Sequence, residues 1–202
     1  MDFFIQKNDF MTTDFSPLPK FYAEIHKATI DNGFTMASDL ATGSLLRTLA
    51  GNKPKGKFLE LGTGTGMSTA WILEGMDRNS SLISIDFDEQ FLSIASAFLG
   101  EDPRLNLELI DGEKWVKSNR GKSFDYIFAD TWHGKYLLLD EVLEMLTIGG
   151  LYIVDDMLPQ DNWPDGHAEK AEKFVEKLDS MPNLNLTKLN WSTGIIIATR
   201  KY

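Results

Sequence analysis

The sequence predicts an α/β protein with three layers, built on a seven-stranded, mostly parallel sheet. From Lys57 onward, short runs rich in β-branched and aromatic residues alternate with amphipathic runs of helical period. Such alternation pairs the strands in parallel and covers both faces of the sheet with helices. Two final β-rich runs follow one another without a helix between them, which predicts a hairpin whose last strand runs antiparallel.

The elements follow one another in a simple order. Two helices are predicted first, within residues 17–33 and 37–51, ended by Gly33 and Gly51. Apolar stripes at helical spacing predict later helices around residues 91–98 and 171–178. We predict one domain, residues 1–202, in which a helical extension (1–52) lies over the functional edge of an α/β core (57–202). The predicted strands are Lys57–Leu61, Leu82–Asp86, Asn106–Ile110, Phe124–Asp130, Leu151–Asp156, Leu184–Asn190 and Thr193–Lys201.

Composition excludes several classes of partner. The 202 residues fit one domain, and 20 basic against 30 acidic side chains give a formal net charge of −10. This charge repels phosphate backbones, so we expect no nucleic acid partner. No run approaches the ~20 apolar residues of a membrane span, and the first residues lack a signal-peptide pattern. We therefore expect a cytoplasmic protein; with no cysteine, it has no disulfide or thiolate ligand.

A glycine-rich loop follows the first predicted strand. Gly62, Gly64 and Gly66 let the backbone turn tightly and approach a ligand closely. Ligands of open α/β sheets lie beyond the carboxyl ends of the strands, where a helix starting near Met67 directs its free N–H groups. A dinucleotide and S-adenosylmethionine both suit such a loop, as does a tight turn without ligand. A dinucleotide fingerprint needs glycine where Met67 stands, so the spacing and the terminal hairpin favour S-adenosylmethionine.

Acidic residues end three of the predicted strands. Asp86 ends the second strand, 20 residues after Gly66, at a position that suits ribose hydroxyls. Asp130 ends the fourth strand, and Asp155 and Asp156 end the fifth. Three carboxylates converging at one edge repel one another unless a cation lies between them, which predicts Mg²⁺, or else Mn²⁺ or Ca²⁺. The alternative is that these aspartates cap helices or are solvated.

Several motifs together resemble a known family. ELGTGTG, the acid in SIDFD, LIDGEKW, FDYIFAD and IGGLYIVDD have the order and spacing of class I S-adenosylmethionine-dependent methyltransferases, over residues 40–202. Within that class, FADTWHGKY and VDDM are similar to the metal-dependent O-methyltransferases of the catechol and caffeoyl-CoA type. The resemblance implies a Rossmann-like fold, methyl transfer to a small hydroxylated molecule, and a homodimer.

The resemblance also assigns cofactor residues. Glu60 and Gly62 would line the cofactor, Ser68 would bind its carboxylate, Asp86 its ribose, and Trp132 would pack against the adenine. A glutamate inside a buried strand is costly unless it is paired, which favours a functional role for Glu60. The other cofactor residues predicted in this way are Thr63, Gly64, Gly66, Phe87, Asp111, Gly112 and Asp130.

Two positions depart from the family pattern. Asp156 stands where the catechol-type enzymes carry asparagine, which adds a negative charge and leaves a sugar diol as well as a catechol-like acceptor open. His133 aligns with their general-base lysine, so His133 and Asp130 are the predicted catalytic residues. Lys135 is a second candidate base. Four apolar residues are predicted to wall the acceptor pocket: Phe34, Met36, Met157 and Trp163.

The leading hypothesis is an S-adenosylmethionine-dependent O-methyltransferase assisted by a divalent metal. Such a metal would promote loss of the hydroxyl proton and fix the oxygen against the methyl group. The alternatives are a metal-independent methyltransferase directed to nitrogen or carboxyl groups, a nucleotide-dependent oxidoreductase, and a non-catalytic binding protein.

Overall fold

One seven-stranded sheet runs through the described part of the chain, residues 15–160 and 163–202 of this computed structural model. The prediction that no signal peptide is present concerns residues 1–14 and lies outside the described residues, as does the start of the helical extension. The strands are β1 (Lys57–Leu61), β2 (Ser81–Asp86), β3 (Leu105–Leu109), β4 (Phe124–Ala129), β5 (Leu146–Val154), β6 (Leu184–Leu189) and β7 (Ile195–Arg200).

Helices occupy both faces of this sheet. They are α1 (Tyr22–Asp31), α2 (Leu40–Gly51), α3 (Met67–Gly75), α4 (Glu89–Leu99), α5 (Gly112–Ser118), α6 (Leu139–Glu144) and α7 (His167–Asp179). None of the helices within residues 15–160 and 163–202 is long and apolar enough to cross a membrane.

The strand order is β3-β2-β1-β4-β5-β7-β6. Strands β1 to β5 pair in parallel, whereas β7 pairs antiparallel with both β5 and β6. The predicted fold class and the antiparallel last strand are therefore confirmed. The direction of winding reverses between β1 and β4, and the crevice at such a reversal is where open α/β sheets bind ligands.

Strand β5 begins five residues earlier than predicted. The sequence pattern placed its start at Leu151 because Gly149 and Gly150 indicate a turn, but the strand extends back to Leu146. Its register opposite β4 shifts between Phe124 and Tyr126, so the glycine pair is accommodated as an irregularity within the pairing.

The β1 side chains alternate between two apolar cores. Phe58 packs with Ile25 of α1 and with α3 residues on one face, while Leu59 and Leu61 pack with Trp115 of α5 on the other. Because strand side chains alternate, Glu60 lies on the same face as Phe58, beneath α3. A carboxylate is thereby placed within the core directly under the glycine loop.

The predicted helical extension is confirmed where it is described. Helix α1 ends two residues before Gly33, which has a φ of 69°, and α2 begins after Asp39, whose side chain accepts a hydrogen bond from the Thr42 amide. The segment between the two helices, residues 34–39, lines the cavity at the carboxyl edge of the sheet. The extension therefore contributes one wall of the candidate site.

Candidate active site

A cavity of about 530 Å³ opens at the carboxyl ends of β1, β2, β4 and β5. Its walls come from the loops after these strands, the segment between α1 and α2, and the start of α7. Most of the residues predicted from the sequence line this one cavity: Gly62, Thr63, Gly64, Ser68, Asp86, Phe87, Gly112, Asp130, Trp132, His133, Asp155 and Asp156.

The glycine loop contacts other segments at distances that exclude side chains. A Cβ on Gly62 would lie 2.8 Å from the Asp130 carbonyl oxygen, and one on Gly64 would lie 2.8 Å from the Phe34 ring. Both glycines have left-handed backbones, with φ values of 103° and 53°. Gly66 precedes α3 and lies behind the cavity wall, where a Cβ would be 2.9 Å from that of Ala95. The loop is thus held tightly against β4 and the extension.

Asp86 connects the end of β2 to this loop. Its Oδ2 accepts a hydrogen bond of 2.7 Å from the Gly64 amide, and its Oδ1 accepts one of 2.9 Å from the Asp88 amide. The carboxylate is therefore oriented before any ligand binds. The next side chain, Phe87, is 71% exposed at the cavity mouth. An exposed ring beside an oriented carboxylate is an arrangement that suits a nucleoside.

Glu60 is completely buried below the loop. Its Oε2 accepts hydrogen bonds from Thr69 Oγ1 at 2.6 Å and from Ser84 Oγ at 2.5 Å. Burial raises the pKa of Glu60 to about 7, against the opposing effect of these hydroxyl groups. Its Oε1 finds no hydrogen-bond partner in the described part of the chain. Glu60 thus lies behind the cavity wall, where it supports the loop from below.

The predicted adenine side is formed by the start of α5 and by the loop after β4. Asp111 caps α5 by accepting a hydrogen bond of 3.0 Å from the Lys114 amide, and it lies outside the cavity wall. Gly112 does line the cavity, and a Cβ there would be 2.7 Å from the His133 ring. Trp132, 45% exposed, stands edge-on to Tyr136 at 5.9 Å.

A buried ion pair lies at the end of β4. The Lys135 Nζ is 3.5 Å from Asp130 Oδ1, and the side chains of Lys135 and Asp130 are 6% and 14% exposed. Burial raises the pKa of Asp130 to about 6, since the nearby Lys135 lowers it by less. Burial and the charge of Asp130 also raise the pKa of Asp155, to about 7. The positive charge of Lys135 therefore does not fully offset the burial of the Asp130 and Asp155 carboxylates.

The donor set does not fit a divalent cation. The Asp155 Oδ1 accepts hydrogen bonds from Thr193 Oγ1 and from the Asp156 amide, and the Lys135 ammonium occupies one side of Asp130. Among the residues described, no three His, Asp or Glu side chains are grouped so as to hold a metal ion. The metal site predicted at Asp130, Asp155 and Asp156 therefore remains a prediction that these contacts do not favour, because a lysine supplies positive charge beside Asp130.

The acceptor side contains aromatic residues that the sequence analysis did not assign. His167, which belongs to none of the sequence motifs, lines the cavity, with Nε2 3.1 Å from the Tyr136 hydroxyl and its ring 4.5 Å from that of Trp163. Burial, followed by the charge of Lys135, lowers the pKa of His167. The only sequence signal was its spacing of four residues from Trp163.

The four predicted wall residues divide into two groups. Phe34, Met36 and Trp163 line the cavity as expected, and Met36 is 67% exposed at its edge. Met157 instead packs against the apolar core beneath the sheet. The segment between α1 and α2 and the loop after β5 therefore both line the cavity.

Comparisons with known proteins find a methyltransferase-domain family and relatives of two kinds. The sequence model of a family described as "Methyltransferase domain" matches residues 59–157. An O-methyltransferase of Aspergillus hancockii is 30% identical over 73% of this chain and 62% of its own length. A polyamine aminopropyltransferase of Prochlorococcus marinus is 36% identical over 41% of this chain and 31% of its own. The chain thus spans about a third to two thirds of the length of these relatives.

The fold matches solved O-methyltransferases over nearly the whole chain. The O-methyltransferase TomG of Streptomyces achromogenes, solved in complex with S-adenosylmethionine, superposes with a TM-score of 0.78 at 19% identity and covers 93% of each chain. At this identity the likeness establishes the fold alone, and the family model adds that residues 59–157 are similar to a methyltransferase domain. The resemblance stated from the sequence motifs is confirmed at that level.

Proposed function

Because residues 59–157 match a methyltransferase-domain family model, we propose that the protein transfers a methyl group from S-adenosylmethionine to a hydroxyl of a small molecule. One observation carries this proposal. The glycine loop and Asp86 face the same 530 Å³ cavity as the buried Asp130–Lys135 pair. A nucleoside site and a set of groups that handle a proton are thereby adjacent.

The cofactor would lie along the ends of β1 and β2. Its carboxylate meets the free amides at the start of α3 near Ser68, since a helix N-terminus favours negative charge. The Asp86 carboxylate, which is already oriented, would accept hydrogen bonds from the ribose hydroxyls. Phe87, Gly112 and Trp132 line the same cavity and would hold the adenine. The fold shared with TomG, which was solved with S-adenosylmethionine, supports this placement.

The transfer is an in-line displacement. When bound there, S-adenosylmethionine would supply a methyl group to the acceptor oxygen, and the electron pair of its C–S bond would return to sulfur to leave neutral S-adenosylhomocysteine. The hydroxyl proton passes to the Asp130 carboxylate, whose pKa of about 6 suits a base near neutral pH. His133 lines the same cavity and is the second candidate base. No step requires a metal, because the donor set does not fit one.

The acceptor pocket favours an aromatic ring over a sugar. The His167 ring contacts those of both Trp163 and Tyr136, with centroids 4.5 and 5.3 Å apart. Aromatic side chains at these separations offer faces and edges to a planar ligand. We therefore propose a phenolic acceptor whose hydroxyl reaches Asp130.

The test begins with cofactor binding. Calorimetric titration should show that S-adenosylhomocysteine binds and that NAD and NADH do not, which separates the proposal from a dinucleotide oxidoreductase. Absence of heat and of a thermal shift with S-adenosylhomocysteine would refute the proposal.

The acceptor is identified with methyl-labelled S-adenosylmethionine and a panel of phenols, catechols, sugar diols, amines and carboxylic acids. We expect label in the phenols, unaffected by EDTA. Label confined to amines or carboxylic acids would instead support the nitrogen- or carboxyl-directed alternative. The predicted homodimer is tested on the same sample by light scattering after gel filtration.

A further inference from the structure

A tight turn fixes Lys135 inside the cavity. The Tyr136 and Leu137 amides donate to the Trp132 carbonyl at 3.0 and 2.9 Å, and the Gly134 amide donates to the Leu137 carbonyl at 2.7 Å. The Gly134 carbonyl in turn accepts from the buried hydroxyl of Tyr152. Four hydrogen bonds within and beneath one turn leave little freedom for the backbone that carries Lys135.

Gly134 brings this turn against the end of β1. Its φ is 88°, and a Cβ at this position would lie 2.6 Å from Leu61 Cδ1. A larger residue would push the turn outward and withdraw Lys135 from the crevice between β1 and β4. The glycine therefore serves to bring a cationic side chain close to the sheet.

Lys135 shares the cavity with three aspartates. Its ammonium is 3.5 Å from Asp130 Oδ1, and Asp155 and Asp156 line the same cavity. A lysine that is 6% exposed is costly to bury unless it is paired, and carboxylates close together are costly unless a cation lies near them. The carboxylates compensate the charge of the buried lysine, and the lysine compensates theirs, so no ion from solution is needed.

We propose that Lys135 is a built-in cation that replaces a divalent metal at this site. Its ammonium compensates the carboxylate charge at the ends of β4 and β5 and donates a hydrogen bond to the acceptor oxygen. The contact with the acceptor rests on the proposed function. The compensation of charge does not, since it depends only on this chain's own side chains.

The proposal has a direct consequence: removing the ammonium should create a metal site. In Lys135→Met a side chain of similar length keeps the packing and removes the charge, which leaves the three carboxylates to attract a cation. Calorimetric titration with Mn²⁺ should show binding at least ~10-fold tighter than in the unsubstituted protein, because a positive charge a few ångströms away no longer repels the ion. Mn²⁺ should also raise the unfolding temperature of this variant alone.

Two control variants isolate the charge at this position. Lys114→Met removes an exposed lysine and changes the net charge equally, so it should bind Mn²⁺ as weakly as the unsubstituted protein. Lys135→Arg keeps the positive charge and should also bind Mn²⁺ as weakly as the unsubstituted protein. If Lys135→Met fails to fold, Lys135→Gln provides the same test. The double variant Lys135→Met/Asp130→Asn removes both members of the pair and should fold without gaining a metal site.

The outcomes separate the two proposals. Equal Mn²⁺ affinity in folded Lys135→Met and the unsubstituted protein overturns the built-in cation, and so does tight Mn²⁺ binding by the unsubstituted protein. These readouts need neither cofactor nor acceptor, so they stand even if S-adenosylhomocysteine fails to bind. With a methyl acceptor in hand, Lys135→Met should lose turnover and regain part of it with Mn²⁺. Abolition of the original activity by EDTA would equally reject the proposal.

Discussion

The two halves of the cavity are organised by different means. In the cofactor half, the main chain determines the geometry: left-handed glycines, a helix start, and an aspartate that accepts from the amide of Gly64. In the acceptor half, side chains from distant segments meet: Lys135 with Asp130, and Tyr136 with His167. The comparison teaches that one half is specified locally by the sequence, whereas the other exists only after the chain has folded.

The largest effect is expected from Asp130→Asn in the acceptor half. This substitution removes the proposed proton acceptor while keeping the size of the side chain, so turnover should fall at least ~100-fold. Binding of S-adenosylhomocysteine should change little, because the carboxylate acts on the acceptor. Turnover and calorimetric affinity measured on one preparation test both statements. Undiminished turnover would remove Asp130 as the base, and a selective loss at low pH in His133→Ala would assign the role to His133.

Beneath the cofactor half, Glu60 should make stability depend on pH. Its pKa is raised from 4.5 to about 7 in the folded protein, so the folded state holds the proton more tightly than the unfolded state does. The resulting stabilisation is complete below about pH 4.5 and is lost as the pH rises through about 7. It amounts to at most ~3 kcal/mol.

Urea unfolding at pH 5, 6.5 and 8 measures this dependence. Glu60→Gln should flatten the profile, because an amide does not titrate, while Glu74→Gln removes an exposed glutamate of α3 and should leave the profile unchanged. Identical slopes for Glu60→Gln and the unsubstituted protein would show that Glu60 does not keep its proton on folding.

Asp86 provides the next test of the cofactor half. Asp86→Ala removes the proposed acceptor of the ribose hydroxyls and the partner of the Gly64 amide, so the Kd for S-adenosylhomocysteine should rise roughly 10- to 100-fold.

Asp111→Ala is the matched control for Asp86→Ala. It removes an aspartate that caps α5, which should cost about 1 kcal/mol of stability and leave the cofactor affinity within about twofold. A comparable loss of affinity in both variants would contradict the division between lining and capping aspartates.

The smallest functional effect is expected from Trp163→Ala. This tryptophan contacts His167 on the acceptor wall, so its removal should raise the KM for the acceptor about 10-fold through lost apolar contact. The affinity for S-adenosylhomocysteine should not change. A variant with unaltered KM and turnover would place the acceptor elsewhere in the cavity.

The same contrast explains what the sequence predicts and what it does not. The glycine loop, Asp86 and the alternation of strands with helices follow from local spacing, since backbone conformation is fixed by nearby residues. The carboxylates Asp130 and Asp155 do converge, as their positions at strand ends imply. Local spacing does not show that the turn at Gly134 places the Lys135 ammonium beside Asp130, and this charge opposes the predicted metal site. His167 lies far along the chain from its partner Tyr136, and no local pattern connects the two.

Because β7 runs antiparallel to its neighbours, the turn before it lies at the carboxyl edge of the sheet, beside the candidate site. The turn before β7 meets the carboxyl edge: Thr193 donates to Asp155, the Leu158 amide donates to the Thr193 carbonyl, and Ser192 donates to Asp39 at the start of α2. A shortened protein ending before Leu184 would retain every residue assigned to chemistry. It would nevertheless lose the hydrogen bonds that join the loop after β5 and the start of α2 to the β6–β7 turn. The hairpin therefore holds both sides of the cavity opening in position.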